Sequence, residues 1–195
     1  MPDIKRDWEK VYEAKVTPWD VGQPEDALVE FIDSSVVKPC RVLEIGCGNG
    51  NDAIFLAKKG FDVTAIDISK RAIEIAKERA KKANVKCNFI AEDATNLKSV
   101  SGKFDFVYDR ACFHFIPEQK RGEYVQTVKK FLINGGYFFL IVSSDKDTVK
   151  GPYQFSKEDI EKIFGNDFDI IDIQLVTLKQ HKENPTPYVC TMKRK

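Results

Sequence analysis

A short apolar run that breaks into glycines and then resumes with helix formers, VLEIGCGNGNDAIF from Val42 to Phe55, leaves this chain few folds to choose from. It predicts a strand, a tight loop and a helix. Glycine lets the backbone turn sharply and lie close to a ligand, and the following helix N-terminus offers unpaired N–H groups. Spacing then narrows the ligand. A dinucleotide fingerprint needs G-x-G-x-x-G, whereas this loop is G-x-G-x-G, formed by Gly46, Gly48 and Gly50 with Asn51 where the last glycine should stand. Glu44 precedes it at the predicted strand tip. A carboxylate there disfavours a pyrophosphate but accepts hydrogen bonds from an ammonium or from hydroxyls. A cationic nucleoside fits such a loop better than a dinucleotide.

A chain of 195 residues that is 43% hydrophobic suits one α/β domain with a full core, and no repeat or low-complexity linker marks a second. With a net charge of +1, no global basic field argues for nucleic acid. The local excess of Lys and Arg between Lys70 and Lys86 lies opposite an apolar stripe of Ile73, Ala76, Ala80 and Ala83, which reads as the solvated back of a helix. The five cysteines, at 40, 47, 87, 112 and 190, lack any C-x-x-C spacing, so neither a disulfide framework nor a zinc site is expected. The N-terminal residues are charged, without an apolar signal region, and no apolar run approaches ~18 residues. A cytoplasmic protein with no membrane span is expected, and its oligomeric state is not legible.

In chain order, Asp3 to Ala14 reads as a helix carrying Ile4, Trp8, Val11 and Tyr12, and Thr17-Pro18 breaks it just before Trp19. These aromatics precede the core domain. They are either core packing or a lid, since aromatic faces attract a cationic ligand and a closed lid excludes water. Glu25 to Val37 is an amphipathic helix ended by Lys38-Pro39. Beyond the glycine loop come a helix from Asp52 to Lys59 and a strand from Phe61 to Ile66. That strand ends at Asp67, followed by Ile68, at the offset where an acidic side chain takes both hydroxyls of a ribose. A helix over Ser69 to Ala83 and a strand over Val85 to Ala91 follow, then the acidic turn Glu92-Asp93-Ala94. A fourth strand, Lys103 to Tyr108, runs into DRACFHFIP, which should place Asp109, Arg110 and His114 in the crevice at the strand tips. Pro117 opens a helix ended by Asn134-Gly135-Gly136, and Tyr137 to Val142 is a fifth strand. Ser156 and Asp159 resemble a capping pair for a helix through Phe164. The runs Phe168 to Leu178 and Pro187 to Met192 are too closely spaced for a parallel crossover and should pair antiparallel.

The acidic G-x-G-x-G loop with acidic residues at successive strand tips resembles the class I S-adenosylmethionine-dependent methyltransferases. That resemblance implies a doubly wound, Rossmann-like, mostly parallel seven-stranded sheet with an antiparallel C-terminal pair. It further implies S-adenosylmethionine as cofactor, with Glu44, Gly46, Cys47, Gly48, Asp67, Ile68 and Asp109 among the residues holding it, Asp93 accepting the adenine amine and the Ala94 backbone beside it. More narrowly, DWEKVYEAKVTPWDVG from Asp7 to Gly22, Asn51-Asp52 after the loop, and Gly151-Pro152-Tyr153 resemble the thiol, halide and thiopurine methyltransferases and the allied tellurite-resistance group. This implies that Trp8, Tyr12 and Trp19 cover the cofactor and that Asn51 contributes to its site. It divides the chain into a helical lid segment, 1–38, and a cofactor-binding core, 39–195, within one domain.

The expected reaction is methyl transfer to a small-molecule acceptor, a thiol or other soft nucleophile, with Arg110 as a nearby cation, His114 as a candidate base and Tyr153 beside them. Rival readings are an RNA, protein, amine or oxygen methyltransferase, a nicotinamide oxidoreductase and a non-catalytic binding protein. The tetrad DRAC at the fourth strand tip differs from the N-P-P-Y-like tetrad usual in nucleic-acid and protein methyltransferases, the third glycine is wrong for nicotinamide, and the retained acidic residues argue against loss of catalysis.

Overall fold

The computed structural model describes residues 6–148 and 153–195, so the readings that fell on Asp3, Ile4, Gly151 and Pro152 lie outside the described residues. Two short helices, α1 (Trp8–Glu13) and α2 (Asp26–Asp33), precede β1 (Arg41–Ile45), α3 (Asn51–Lys58), β2 (Asp62–Asp67), α4 (Lys70–Lys82), β3 (Asn88–Ala91) and β4 (Phe104–Arg110). The second half comprises α5 (Arg121–Phe131), β5 (Leu132–Val142), α6 (Lys157–Phe164), β6 (Phe168–Leu175) and β7 (Tyr188–Arg194). The strands form one seven-stranded sheet in the order β3-β2-β1-β4-β5-β7-β6. The first five are parallel, and β7 runs antiparallel between β5 and β6. Chain order reverses at β1 and β4, which opens a crevice beyond their carboxyl ends. The register puts the tips side by side: Ile45 lies opposite both Ile66 and Asp109, and Asp67 opposite Ala91.

Helices cover both faces, so the inner strands are apolar in both directions. Val42, Phe106 and Phe139 point to the layer holding α2, α3 and α4, where they meet Leu28, Leu56 and Ala76. Leu43, Val107 and Phe138 point to the other, against Val128, Phe131 and Phe164 from α5 and α6. The Ser156–Asp159 capping box starts α6, as the spacing predicts.

Several boundaries differ from the sequence reading. Helix α2, grouped there with the lid, belongs to the core: Leu28 is fully buried, and Phe31 stacks on Phe139 with ring centroids 4.3 Å apart. Strand β3 begins at Asn88 rather than Val85, because Val85 still closes the turn after α4 through its N–H to the Ala80 carbonyl. Strand β4 continues through Asp109 and Arg110, whose partners on β5 are Leu140 and Ile141. The run Asn134-Gly135-Gly136 does not end α5; Leu132 is already extended, and the glycines lie within β5. They absorb a register shift there, since Leu132 pairs with Phe104 but Tyr137 pairs with Phe106. Gly135 takes φ +74° in that bulge, where a side chain would be strained.

Candidate active site

Beyond the tips of β1, β2, β3 and β4 lies a cavity of about 700 Å³, roofed by α1 and the segment after it. On its floor the glycine loop is pinned from below: the N–H groups of Gly46 and Cys47 both donate to the Ile66 carbonyl, at 2.8 and 2.9 Å. Gly48 has φ +52°, and a Cβ there would come 2.8 Å from the Tyr12 hydroxyl, so both conformation and space require glycine. Asp67 braces the loop by accepting the Gly48 N–H and the Ser69 N–H, one on each oxygen, both at 2.9 Å. Burial outweighs those bonds and raises its pKa. Each oxygen keeps lone pairs for a second donor, and the residue lines the cavity beside Ile68.

Among the described residues, two acceptors on this floor are buried without a hydrogen-bond partner: Glu44 Oε2 and Asn49 Oδ1. Burial first, and then the charge of Asp52, push the Glu44 carboxyl well above its ordinary range. Orphaned buried acceptors facing a cavity are what a ligand with an ammonium and hydroxyl groups satisfies. At the tip of β3, Asp93 Oδ1 accepts from the N–H and hydroxyl of Thr95, both at 2.8 Å, so Oδ2 is the oxygen left for a ligand, with Lys120 4.0 Å away. Ala94 lines the wall next to it.

The roof is aromatic. Trp8 meets Trp19 edge-on at 5.8 Å and Phe115 at 4.6 Å, while Tyr12 meets Trp19 at 6.1 Å. The Arg6 guanidinium sits over the Trp8, Trp19 and Phe115 rings at 4.9, 5.2 and 5.8 Å. Two carboxylates that the sequence reading passed over fasten this roof. Glu9 accepts from the Ser69 hydroxyl at 2.8 Å and from the Arg71 N–H at the start of α4. Asp20 accepts from Asn49, Asn51 and both terminal nitrogens of Arg79. Burial opposes ionisation of Asp20, but these bonds win and lower its pKa to about 2. Asn51, expected among the cofactor residues, borders the cavity with its amide used at both ends, donating to Asp20 and accepting from Arg79. It acts as a clamp on the roof.

The opposite end of the cavity corrects four expectations. Asp109 is fully buried and does not line the cavity; it accepts from the Cys112 and Phe113 N–H groups and the Tyr124 hydroxyl. Its role is to shape the turn after β4, and burial pushes its pKa up to about 7. Arg110 lines the cavity, but its guanidinium is already matched by Glu25 at 3.2 Å and Asp52 at 3.3 Å, so it offers no unbalanced positive charge to a thiol. His114 accepts the Ser143 N–H on Nδ1 at 3.1 Å, which leaves the proton on Nε2. Burial and the charge of Arg110 lower its pKa to about 4, so it is a neutral hydrogen-bond donor, not a base. Tyr153 does not line the cavity; it lies against the Arg121 guanidinium, 4.8 Å from its ring centre.

The sequence reading also missed Glu25 and His181. Glu25, at the start of α2, accepts from His181 Nε2 at 3.0 Å across 156 residues of sequence. Nothing local to either residue announces the pairing. Among the described residues no group of His, Cys, Asp and Glu side chains could hold a metal ion, and no helix is long and apolar enough to cross a membrane.

Residues 4–192 match the family model for thiopurine S-methyltransferase (TPMT). The chain is 31% identical to a probable thiol methyltransferase 2 of Arabidopsis thaliana over 80% of its own length and 70% of that protein's. It is 26% identical, over the same two shares, to a 2-heptyl-1-hydroxyquinolin-4(1H)-one methyltransferase of Mycobacteroides abscessus. In fold it resembles the Burkholderia thailandensis 1,6-didemethyltoxoflavin-N1-methyltransferase, solved with that acceptor and S-adenosylhomocysteine. The TM-score is 0.78 at 19% identity, covering 97% of this chain and 86% of that one.

Proposed function

Because this chain belongs to the thiopurine S-methyltransferase family and is an S-adenosylmethionine-dependent methyltransferase, we propose that its acceptor is a small soft nucleophile, a thiol or a related anion. The observation that carries this reading is a cavity of about 700 Å³ roofed by an aromatic segment that two carboxylates fasten to its floor. A cavity of this size with an aromatic roof suits a nucleoside cofactor and a small partner. The names of the relatives, a thiol methyltransferase and a hydroxyquinolinone methyltransferase, support a small acceptor.

In this reading the floor fits the cofactor residue by residue. Asp67 takes the ribose hydroxyls, Glu44 and Asn49 take the amino-acid end through their orphaned oxygens, and Asp93 and Ala94 take the adenine. Trp8, Tyr12 and Trp19 cover the sulfonium, and residues 6–22 serve as the lid. S-adenosylmethionine supplies a methyl group on a positively charged sulfur. The chain's own contribution is position and dryness, because an in-line displacement gains most from holding the nucleophile near about 3–3.5 Å from the carbon. A thiol, with an ordinary pKa near about 8.5, is already partly ionised at neutral pH. The work is done in the cytoplasm without a nucleic-acid partner; five free cysteines suit a reducing compartment.

A panel of thiols, thiocyanate, iodide, a thiopurine, a hydroxyquinolinone, amines and a short RNA, assayed for S-adenosylhomocysteine formation, tests the acceptor. Turnover of thiols or soft anions well above amines is expected. Selective methylation of the RNA, with every small acceptor inert, would refute the reading.

A further inference from the structure

We infer that His181, oriented by Glu25, is the base that takes the proton from a protic methyl acceptor. The inference rests on the small-acceptor reading above and adds the group that selects among acceptors by their acidity.

His181 lines the same cavity as Arg110 and His114 and is 9% exposed. It sits in the loop between β6 and β7, which is held by turns: its own N–H donates to the Leu178 carbonyl, and its carbonyl accepts from Asn184. Burial by itself would protonate Glu25, but the bond from His181 and the charge of Arg110 reverse that and keep the carboxyl below its ordinary value. An ionised carboxylate can only accept. The proton of neutral His181 is therefore on Nε2, facing Glu25 at 3.0 Å, and Nδ1 carries the lone pair. Gln180 approaches the same Nε2 at 3.4 Å, too long to displace Glu25.

The two histidines of this cavity thus have opposite tautomers. His114 has Nδ1 occupied by the Ser143 N–H and can only donate, whereas His181 has Nδ1 free of its carboxylate partner and can accept a proton. The charged groups around His181 favour that step. Glu25 faces it directly; Arg110 shares the same Glu25 oxygen, Oε2, with its charge divided between Glu25 and Asp52; and Lys179, Lys182 and Glu183 on its own loop are exposed. Leu178, Pro185 and Pro187 supply the apolar remainder.

The step balances without another reactant. The acceptor's lone pair forms a bond to the methyl carbon, the carbon–sulfur pair returns to sulfur, and the acceptor's proton moves to His181 Nδ1. The resulting imidazolium faces Glu25 through Nε2–H. An acceptor that is already an anion has no proton to give, so it gains nothing from this base. That difference is the test.

His181→Gln can still donate to Glu25 through its amide but cannot take a proton. Wild type and variant should be compared for turnover of an aliphatic thiol and of iodide, each at saturating S-adenosylmethionine, with S-adenosylhomocysteine binding measured by calorimetry. The thiol-to-iodide turnover ratio should fall about 10²-fold or more, with cofactor affinity held, and the loss should grow with acceptor pKa across a series of thiols and phenols. Glu25→Gln, which leaves the imidazole but removes its ionised partner, should lower the same ratio by less. An unchanged ratio in both variants overturns the base assignment while leaving the small-acceptor reading intact. Wild-type enzyme inert toward every thiol, phenol and anion overturns both.

Discussion

Asp20 joins the aromatic roof to the cofactor floor, and its removal should open the cavity without unfolding the domain. The Asp20→Asn substitution keeps the shape but replaces one acceptor oxygen with a donor, which then confronts Asn49, Asn51 or Arg79. In the folded protein the carboxyl pKa falls from 3.8 to about 2. At about 1.36 kcal/mol per unit this corresponds to roughly 2.4 kcal/mol. The Arg79 side chain is 35% exposed, so water screens part of it, and a discounted figure of about 1–2 kcal/mol applies. That is roughly a 5–30-fold increase in the open population. Limited proteolysis at low protease concentration reads it directly, as a 5–30-fold faster cleavage within residues 6–22 in the variant. S-adenosylhomocysteine should slow that cleavage in both proteins, and its affinity should drop by no more than the same factor. The sign of the pH dependence also follows: a depressed carboxyl pKa stabilises the docked roof fully above about pH 4, and that stabilisation fades as pH falls toward 2. If the variant's cleavage rate equals that of wild type, the ion pair contributes nothing and the aromatic packing alone holds the roof.

Replacing Asp67 by Ala leaves the Gly48 and Ser69 N–H groups, and in our reading two ribose hydroxyls, without an acceptor; calorimetry should show cofactor binding weaker by about 1.5–3 kcal/mol. NAD should give no heat with the wild-type protein. Asp109→Asn removes a buried carboxyl with a pKa raised to about 7. The native state of wild type holds that proton between pH 4 and 7 while the unfolded chain releases it, so its stability falls as pH rises through that window; melting temperatures should show a flatter dependence in the variant. Leu28→Ala, in the helix assigned to the core, should destabilise the whole domain by about 2–5 kcal/mol, a loss visible in denaturant melts that Asp20→Asn should not reproduce.

What was legible in the sequence was whatever local pattern dictates. The alternation of apolar strands and amphipathic helices, the glycine loop and the Ser156–Asp159 box each depend on residues within a few positions, and each is found where that pattern puts it. The reading failed where local and tertiary signals compete. Asn134-Gly135-Gly136 has the composition of a helix stop, yet pairing with β4 draws Leu132 into the sheet and turns the glycines into a bulge. The acceptor end was harder, because its chemistry depends on partners far apart in sequence. A histidine beside a strand tip attracts attention, but only the Ser143 N–H shows that His114 is a donor. Only the meeting of residues 25 and 181 shows that the other histidine has an ionised neighbour. Arg110 looked like a free cation for the same reason, since Glu25 and Asp52 give no local hint that they surround it.

The interior position of β7 bears on how such a chain can be made. Strand β6 is synthesised before β7, yet β7 is its neighbour in the sheet, and until β7 arrives the outer edge of β5 is open as well. Until β7 is made, therefore, the parallel sheet has bare edges at both β3 and β5, while β6 has no neighbour to pair with. Bare edges of this kind template pairing between chains. The insertion of β7, with Tyr188, Cys190 and Met192 all buried, covers the β5 edge and gives β6 its place in one event. The same pairing anchors both ends of the loop that brings His181 to the cavity, so that part of the lining depends on the last strand of the sheet.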